Sequence, residues 1–346
     1  MEEKKHKRRV HYSGKYPKKF EEKYKEHDPE KYGDTIARVI SKGSTPAGMH
    51  ISIMVKEILD FLQIKPGQQG LDCTLGYGGH TRKMLEKLEG KGCIYGLDVD
   101  PIESSKTVER LKNAGFDEDQ FKFRLINFAN IDEVAKEAGK FDFVLADLGV
   151  SSMQIDNPER GFSYKIDGPL DLRLDPAHGE SAAQRLRSIT KEEFVGMMVE
   201  NSDEPYAEEI ADKVFSLMRR GKNIDTTTAL REAIEQALWK VPKEEKDQAI
   251  KKSCARVFQA LRIDVNSEFE VLYSFLEKLP TILNPGGRVA ILTFHSGEDR
   301  LVKKAFKEHL KEGAFSEISS DVIRPSAEEC RINPRSKSTK MRWAIK

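Results

Sequence analysis

From about residue 50 the apolar positions follow two alternating rhythms. Residues 51–62 are apolar at helical spacing. Short apolar runs then recur at 70–74, 93–98, 121–126 and 141–147, with a helical segment reaching Leu88 after the first of them. Runs this short, separated by helix-like segments, predict buried strands of a parallel, doubly wound α/β sheet. After Asp147 the rhythm breaks. Residues 157–250 hold helix-like segments at 204–220 and 226–239 and no strand pattern, and one long helix is expected over 253–283, stopping at Asn284-Pro285-Gly286-Gly287. Strand patterning resumes at 288–294, 318–323 and 340–345. The pattern therefore predicts one α/β domain made of 46–156 and 251–346, interrupted by an all-helical insertion at 157–250. Residues 1–45 form a basic, aromatic extension, in which Tyr12, Tyr16, Phe20 and Tyr24 recur at the spacing of one helix face.

Composition narrows the classes. The chain has 346 residues and a formal net charge of +1, long enough to bury a sizeable core. No run approaches the roughly 18–20 apolar residues of a membrane span, and the charged start lacks the apolar stretch of a secretory leader. Cys73, Cys93, Cys254 and Cys330 are scattered, with no CxxC pair. A disulfide framework or zinc site is therefore not expected, no metal is predicted, and a reducing cytoplasm is the expected setting. Near-zero net charge argues against a nucleic-acid partner only as an average. Residues 1–32 hold eleven Lys/Arg against seven acids, and 331–342 carry Arg331, Arg335, Lys337, Lys340 and Arg342 with no acid. Both ends are expected to meet phosphates.

In open α/β sheets ligands sit at the carboxyl ends of the strands. Gly76-Tyr77-Gly78-Gly79-His80 follows the first strand and Asp98 closes the second, a pairing that suits a ribose-containing cofactor. The third glycine of a dinucleotide fingerprint is missing, and no phosphate-binding P-loop occurs. S-adenosylmethionine, which needs a ribose acid and a close turn but carries no phosphate, fits this loop better.

Further blocks are more specific. They are Asp72 to His80, Ala146-Asp147-Leu148-Gly149-Val150-Ser151-Ser152-Met153-Gln154, Arg160-Gly161-Phe162-Ser163-Tyr164, Gly168-Pro169-Leu170-Asp171-Leu172-Arg173, Arg256 to Ile263 with Val265-Asn266, Phe294-His295-Ser296-Gly297-Glu298-Asp299-Arg300, and Asn333 to Arg342. This ordered set, from about residue 50 to the end, resembles the bacterial 16S ribosomal RNA cytosine-N4 methyltransferases. The resemblance implies a class I methyltransferase sheet with an inserted helical substrate-recognition domain, S-adenosylmethionine as cofactor, and a cytosine of the small ribosomal subunit's decoding centre as target. It implies cofactor contacts at Gly78, Gly79, His80, Asp98, Phe128, Asp147 and Gln154. The sequence departs from the family pattern at His50-Ile51-Ser52-Ile53, at Gly297 in place of a leucine, and in the extension. These departures leave open another rRNA or tRNA base, and a cofactor-binding assembly factor remains the rival. The oligomeric state is not legible.

Chemistry supplies the remaining expectations. The cytosine amine is a poor nucleophile, so an acceptor must hold its protons and a base must take one. Asp147, closing a strand, and His295, following one, are the catalytic candidates. Phe162 or Tyr164 are expected to hold an extruded base, and Arg160, Arg173, Arg335, Lys337 and Lys340 to contact RNA.

Overall fold

The computed structural model describes residues 52–346; the expectations for the extension, including its aromatic helix, lie outside the described residues. The chain first makes α1 (Val55–Leu62), β1 (Gln69–Asp72), α2 (Gly79–Leu88), β2 (Cys93–Asp98), α3 (Pro101–Asn113), β3 (Phe121–Leu125), α4 (Ile131–Ala138), β4 (Phe141–Asp147) and α5 (Ser152–Asp156). A run of helices follows: α6 (Ala182–Ser188), α7 (Lys191–Ser202), α8 (Ala207–Arg219), α9 (Thr227–Ala237), α10 (Lys243–Val265) and α11 (Glu268–Ile282). The sheet then resumes with β5 (Leu283–Thr293), α12 (Ser296–Lys311), β6 (Glu317–Ile318), α13 (Ala327–Ile332) and β7 (Lys340–Ile345).

The seven strands are ordered β3-β2-β1-β4-β5-β7-β6. β1 to β5 pair in parallel, and β7 lies antiparallel between β5 and β6. Chain order reverses beside β1, where β2 and β4 flank it, so the ligand crevice is expected outside these three carboxyl ends. Helices cover both faces, which is why the strands read as apolar runs rather than as alternation. In β4, Val144 and Ala146 join one core with Leu276 of α11 and Phe306 of α12. Phe143 and Leu145 join the other, with Met84 of α2 and Ile58 of α1.

Three expectations change. The single helix over 253–283 is two, because Ser267 takes a left-handed conformation (φ 48°) after Asn266 caps α10. The Asn284-Pro285-Gly286-Gly287 turn sits inside β5, where the register against β4 jumps between Phe141 and Phe143. The strand expected at 318–323 contracts to two residues plus a bridge from Ile323 to Met341. The insertion's end at 250 also falls within α10. Its core takes Cys254, Val257, Phe258 and Leu261 together with Phe162 and Phe194, so the helical unit runs on to the break at Asn266. Residues 52–346 nevertheless form one compact unit.

Candidate functional site

The crevice is built from the ends of β1, β2 and β4. At β1, the buried Asp72 accepts bonds from Thr74 N (3.1 Å) and Thr81 Oγ1 (2.5 Å), tying the turn to the first helical turn of α2. Gly76 N donates to Asp98 Oδ2 (2.8 Å), and Thr107 Oγ1 donates to the Gly76 carbonyl (2.6 Å). The turn is thus pinned to β2 and α3 before any ligand arrives. Gly78 caps α2 in a left-handed conformation. A Cβ on Gly78 would lie 2.6 Å from the Thr107 methyl, and one on Gly79 would lie 2.0 Å from Ser52 Oγ. These two glycines make room for the chain's own side chains, a reason other than the ligand approach expected of them.

Asp98 accepts from Gly76 and, on Oδ1, from Asp100 N (2.9 Å). Burial pushes its pKa up to about 6, against the pull of these bonds. Asp147, at the end of β4, donates its N–H to Thr74 Oγ1 (2.7 Å). Its Oδ1 is buried and has no hydrogen-bond partner among the described residues. Burial pushes this acid to about 6 as well, opposed by His80 and reinforced by Asp72 and Glu298. His80 Nε2 lies 2.8 Å from the Ile53 carbonyl. That oxygen can only accept, so Nε2 carries a proton and Nδ1 faces Asp147 Oδ2 at 3.6 Å.

Around these acids, Phe128 packs edge-on to Phe275 (5.3 Å between ring centres) at the turn after β3. Ile102, in the first turn of α3, is 44% exposed. Gln154 does not stand free: its Oε1 accepts from Ser151 N and its Nε2 donates to Asp100 Oδ2 (2.9 Å). His295 follows β5 with its ring on Phe269, and its Nε2 is 3.2 Å from Glu298 Oε1. Burial disfavours ionised Glu298, but the contact with His295 and the charge of Arg262 outweigh it and hold the acid below its usual range. Glu298 Oε2 accepts the Phe294 N–H (2.8 Å), so this pair anchors the start of α12. The space a leucine at 297 would use is taken by the Phe269 ring, 2.6 Å from a Cβ there.

The expected RNA contacts divide. Arg160 is 7% exposed and bonded to buried Asp100, so it cannot reach a phosphate. Phe162 lies in the insertion core, and Tyr164 packs at 5.9 Å on Phe258. Arg173 forks onto Asp171 (2.8 and 2.7 Å). Lys340 is paired with Asp299 (3.1 Å), which also holds Arg342. Arg335 is exposed and paired with Asp156 (2.8 Å), while Lys337 and Arg331 are exposed. Phe162→Ala is expected to lower stability by about 3–5 kcal/mol, read as a fall in unfolding midpoint. A ring held ready for a base would instead leave stability intact and raise KM.

Sequence reasoning missed Asp72, Asp100, Ile102 and Glu298. The Asp100-Pro101 pair carried a signal: Asp100 caps α3, accepting from Ile102 N (3.0 Å) and Glu103 N (3.2 Å), with Pro101 as the first helical residue.

Residues 47–346 match the model of the MraW methylase family. Ribosomal RNA small subunit methyltransferase H 1 of Agathobacter rectalis is 69% identical over 345 residues, covering 100% of this chain and 99% of the relative. The protein of the same name from Lachnoclostridium phytofermentans is 67% identical over 341 residues, covering 99% and 93%. Ribosomal RNA small subunit methyltransferase H of Clostridioides difficile is 39% identical over 314 residues, covering 86% and 98%. On the family match and these full-length identities together, the chain belongs to the MraW methylase family.

Proposed function

We infer that this protein transfers a methyl group from S-adenosylmethionine to the exocyclic N4 of a cytosine in 16S rRNA of the small ribosomal subunit. The observation that carries the reading is Asp147. Its Oδ1 is a buried acceptor without a partner among the described residues, at the crevice where β1, β2 and β4 end. A buried acceptor left unmade is costly, so its persistence points to a donor that arrives with the substrate. An amine N–H is such a donor.

The residues present fit the cofactor. Asp98, already fixed by two backbone N–H groups, offers its remaining lone pairs to ribose hydroxyls. Exposed Ile102, in the first turn of α3, and half-buried Phe128, in the turn after β3, provide apolar surface there. S-adenosylmethionine supplies an electrophilic methyl on a positively charged sulfur, and an in-line displacement gains mostly from positioning. Asp147 accepts an N–H of the amine, localising the nitrogen lone pair, and takes the proton as the N–C bond forms. With its pKa near 6 it is ionised at neutral pH yet more basic than an exposed carboxylate. His80 Nδ1 lies 3.6 Å from the other oxygen of this carboxylate.

Exposed Arg331, Lys337 and Arg335 support an RNA-facing rim on the C-terminal segment. Substituting Arg331 and Lys337 together by alanine is expected to weaken subunit binding and to lower the slope of log affinity against log salt by about 1–2; an unchanged slope removes them from the interface. The reading itself is tested by incubating the protein with S-adenosylmethionine labelled in the methyl group and purified ribosomal subunits. Label is expected in small-subunit RNA and absent from large subunits and tRNA. Cofactor binding without transfer would favour an assembly factor instead.

A further inference from the structure

Arg160, Phe162, Tyr164 and Arg173 of the blocks 160–164 and 168–173 were expected to meet the substrate, yet each is buried, packed or paired. The two blocks form a clasp. The segment around Gly161 lies against Pro169, and Gly168 against Pro158, so closely that a Cβ on either glycine would meet a carbonyl oxygen at 2.2 or 2.1 Å. Leu172 N donates to the Arg160 carbonyl (3.2 Å). Asn266, where α10 breaks, donates to the Leu172 carbonyl and accepts from Leu174 N, both at 2.8 Å.

Arg160 links this clasp to the cofactor crevice. One guanidinium nitrogen donates to Asp100 Oδ2 (2.7 Å), and another donates to the carbonyls of Arg173 (3.1 Å) and Leu174 (2.8 Å). Asp100 is 1% exposed and its backbone N–H holds Asp98. Its carboxylate also takes Gln154 Nε2 and the two N–H groups at the start of α3. A continuous path thus runs from the ribose acid Asp98 through Asp100 and Arg160 to Leu174, Asn266 and the helical insertion. We propose that Arg160 is a positioning residue, its charge fixing the turn that follows Asp98 and its fork joining that turn to the helical insertion, read as the part that meets the substrate. This rests on the reading of Asp98 as a cofactor residue.

The two roles separate by substitution. Removing the guanidinium leaves Asp100 as a buried charge without its cation, which buried pairs tolerate poorly. Arg160→Met is expected to weaken S-adenosylhomocysteine binding about tenfold, measured by calorimetry on the folded protein. Adding Asp100→Asn removes the stranded charge and is expected to restore that affinity to within about threefold. Arg160→Lys keeps a cation but not the planar fork; it is expected to bind S-adenosylhomocysteine within about threefold of the unaltered protein while raising the small-subunit KM about tenfold. A merely structural arginine would move both readouts together in every variant. Unchanged S-adenosylhomocysteine binding by Arg160→Met, or a double variant no better than the single one, overturns the proposal. If Arg160→Met does not fold, tenfold weaker binding by both remaining variants overturns it equally. No binding by the unaltered protein would overturn the cofactor reading instead.

Discussion

Asp147→Asn is expected to lower kcat by about 10²–10⁴-fold while S-adenosylhomocysteine still binds. The asparagine is nearly isosteric, so packing at the end of β4 and the bond from Asp147 N to Thr74 Oγ1 survive. The amide oxygen can still accept one N–H from the incoming amine, but it cannot take a proton. Loss of turnover with binding intact therefore separates proton acceptance from a cofactor-only role. The pH profile sharpens the test. With Asp147 near pH 6, kcat at saturating cofactor should rise as pH increases through about 6 and level off, because only the ionised acid accepts. Full turnover by Asp147→Asn would assign the aspartate to cofactor binding alone.

The second large effect belongs to Asp98. Asp98→Asn is expected to weaken S-adenosylhomocysteine about 10–150-fold, the range for hydrogen bonds to a charged acceptor. Binding by the unaltered protein should strengthen as pH rises through about 6, where Asp98 ionises, and binding by the variant should lose that step. The same raised pKa sets the sign of the stability effect. The folded chain holds a proton that the unfolded chain releases near 3.8. This group's contribution is thus fully present below that value and lost as pH rises through about 6. Keeping this acid sheltered costs the protein stability at neutral pH. A variant that binds as tightly as the unaltered protein at pH 7.5 would contradict the ribose assignment.

What was legible in the sequence follows from what is local. The runs at 93–98 and 141–147 became β2 and β4 residue for residue, because strands buried on both faces leave unbroken apolar runs. The strand-end positions of Asp98 and Asp147 came with them. The break between α10 and α11 was not legible, since no glycine or proline marks it. It is held by Asn266, whose partners Leu172 and Leu174 lie about ninety residues away. Arg160 and Lys340 were read as free cations for the same reason. Their acids, Asp100 and Asp299, are distant in sequence and are brought to them only by the fold. The glycine turn was located by its motif, but the side chains filling the space over Gly78 and Gly79 come from Thr107 and Ser52, which local pattern does not disclose.

The central claim is that the crevice at Asp147 directs a methyl group onto a cytosine amine of small-subunit RNA. Its most direct test is nucleoside mass spectrometry on small subunits from cells lacking this protein, before and after incubation with it and S-adenosylmethionine. The account predicts N4-methylcytidine appearing at a single position, and not with Asp147→Asn. Methylation of a ring carbon, a ribose hydroxyl or another base, or an unmodified subunit despite bound cofactor, would contradict it.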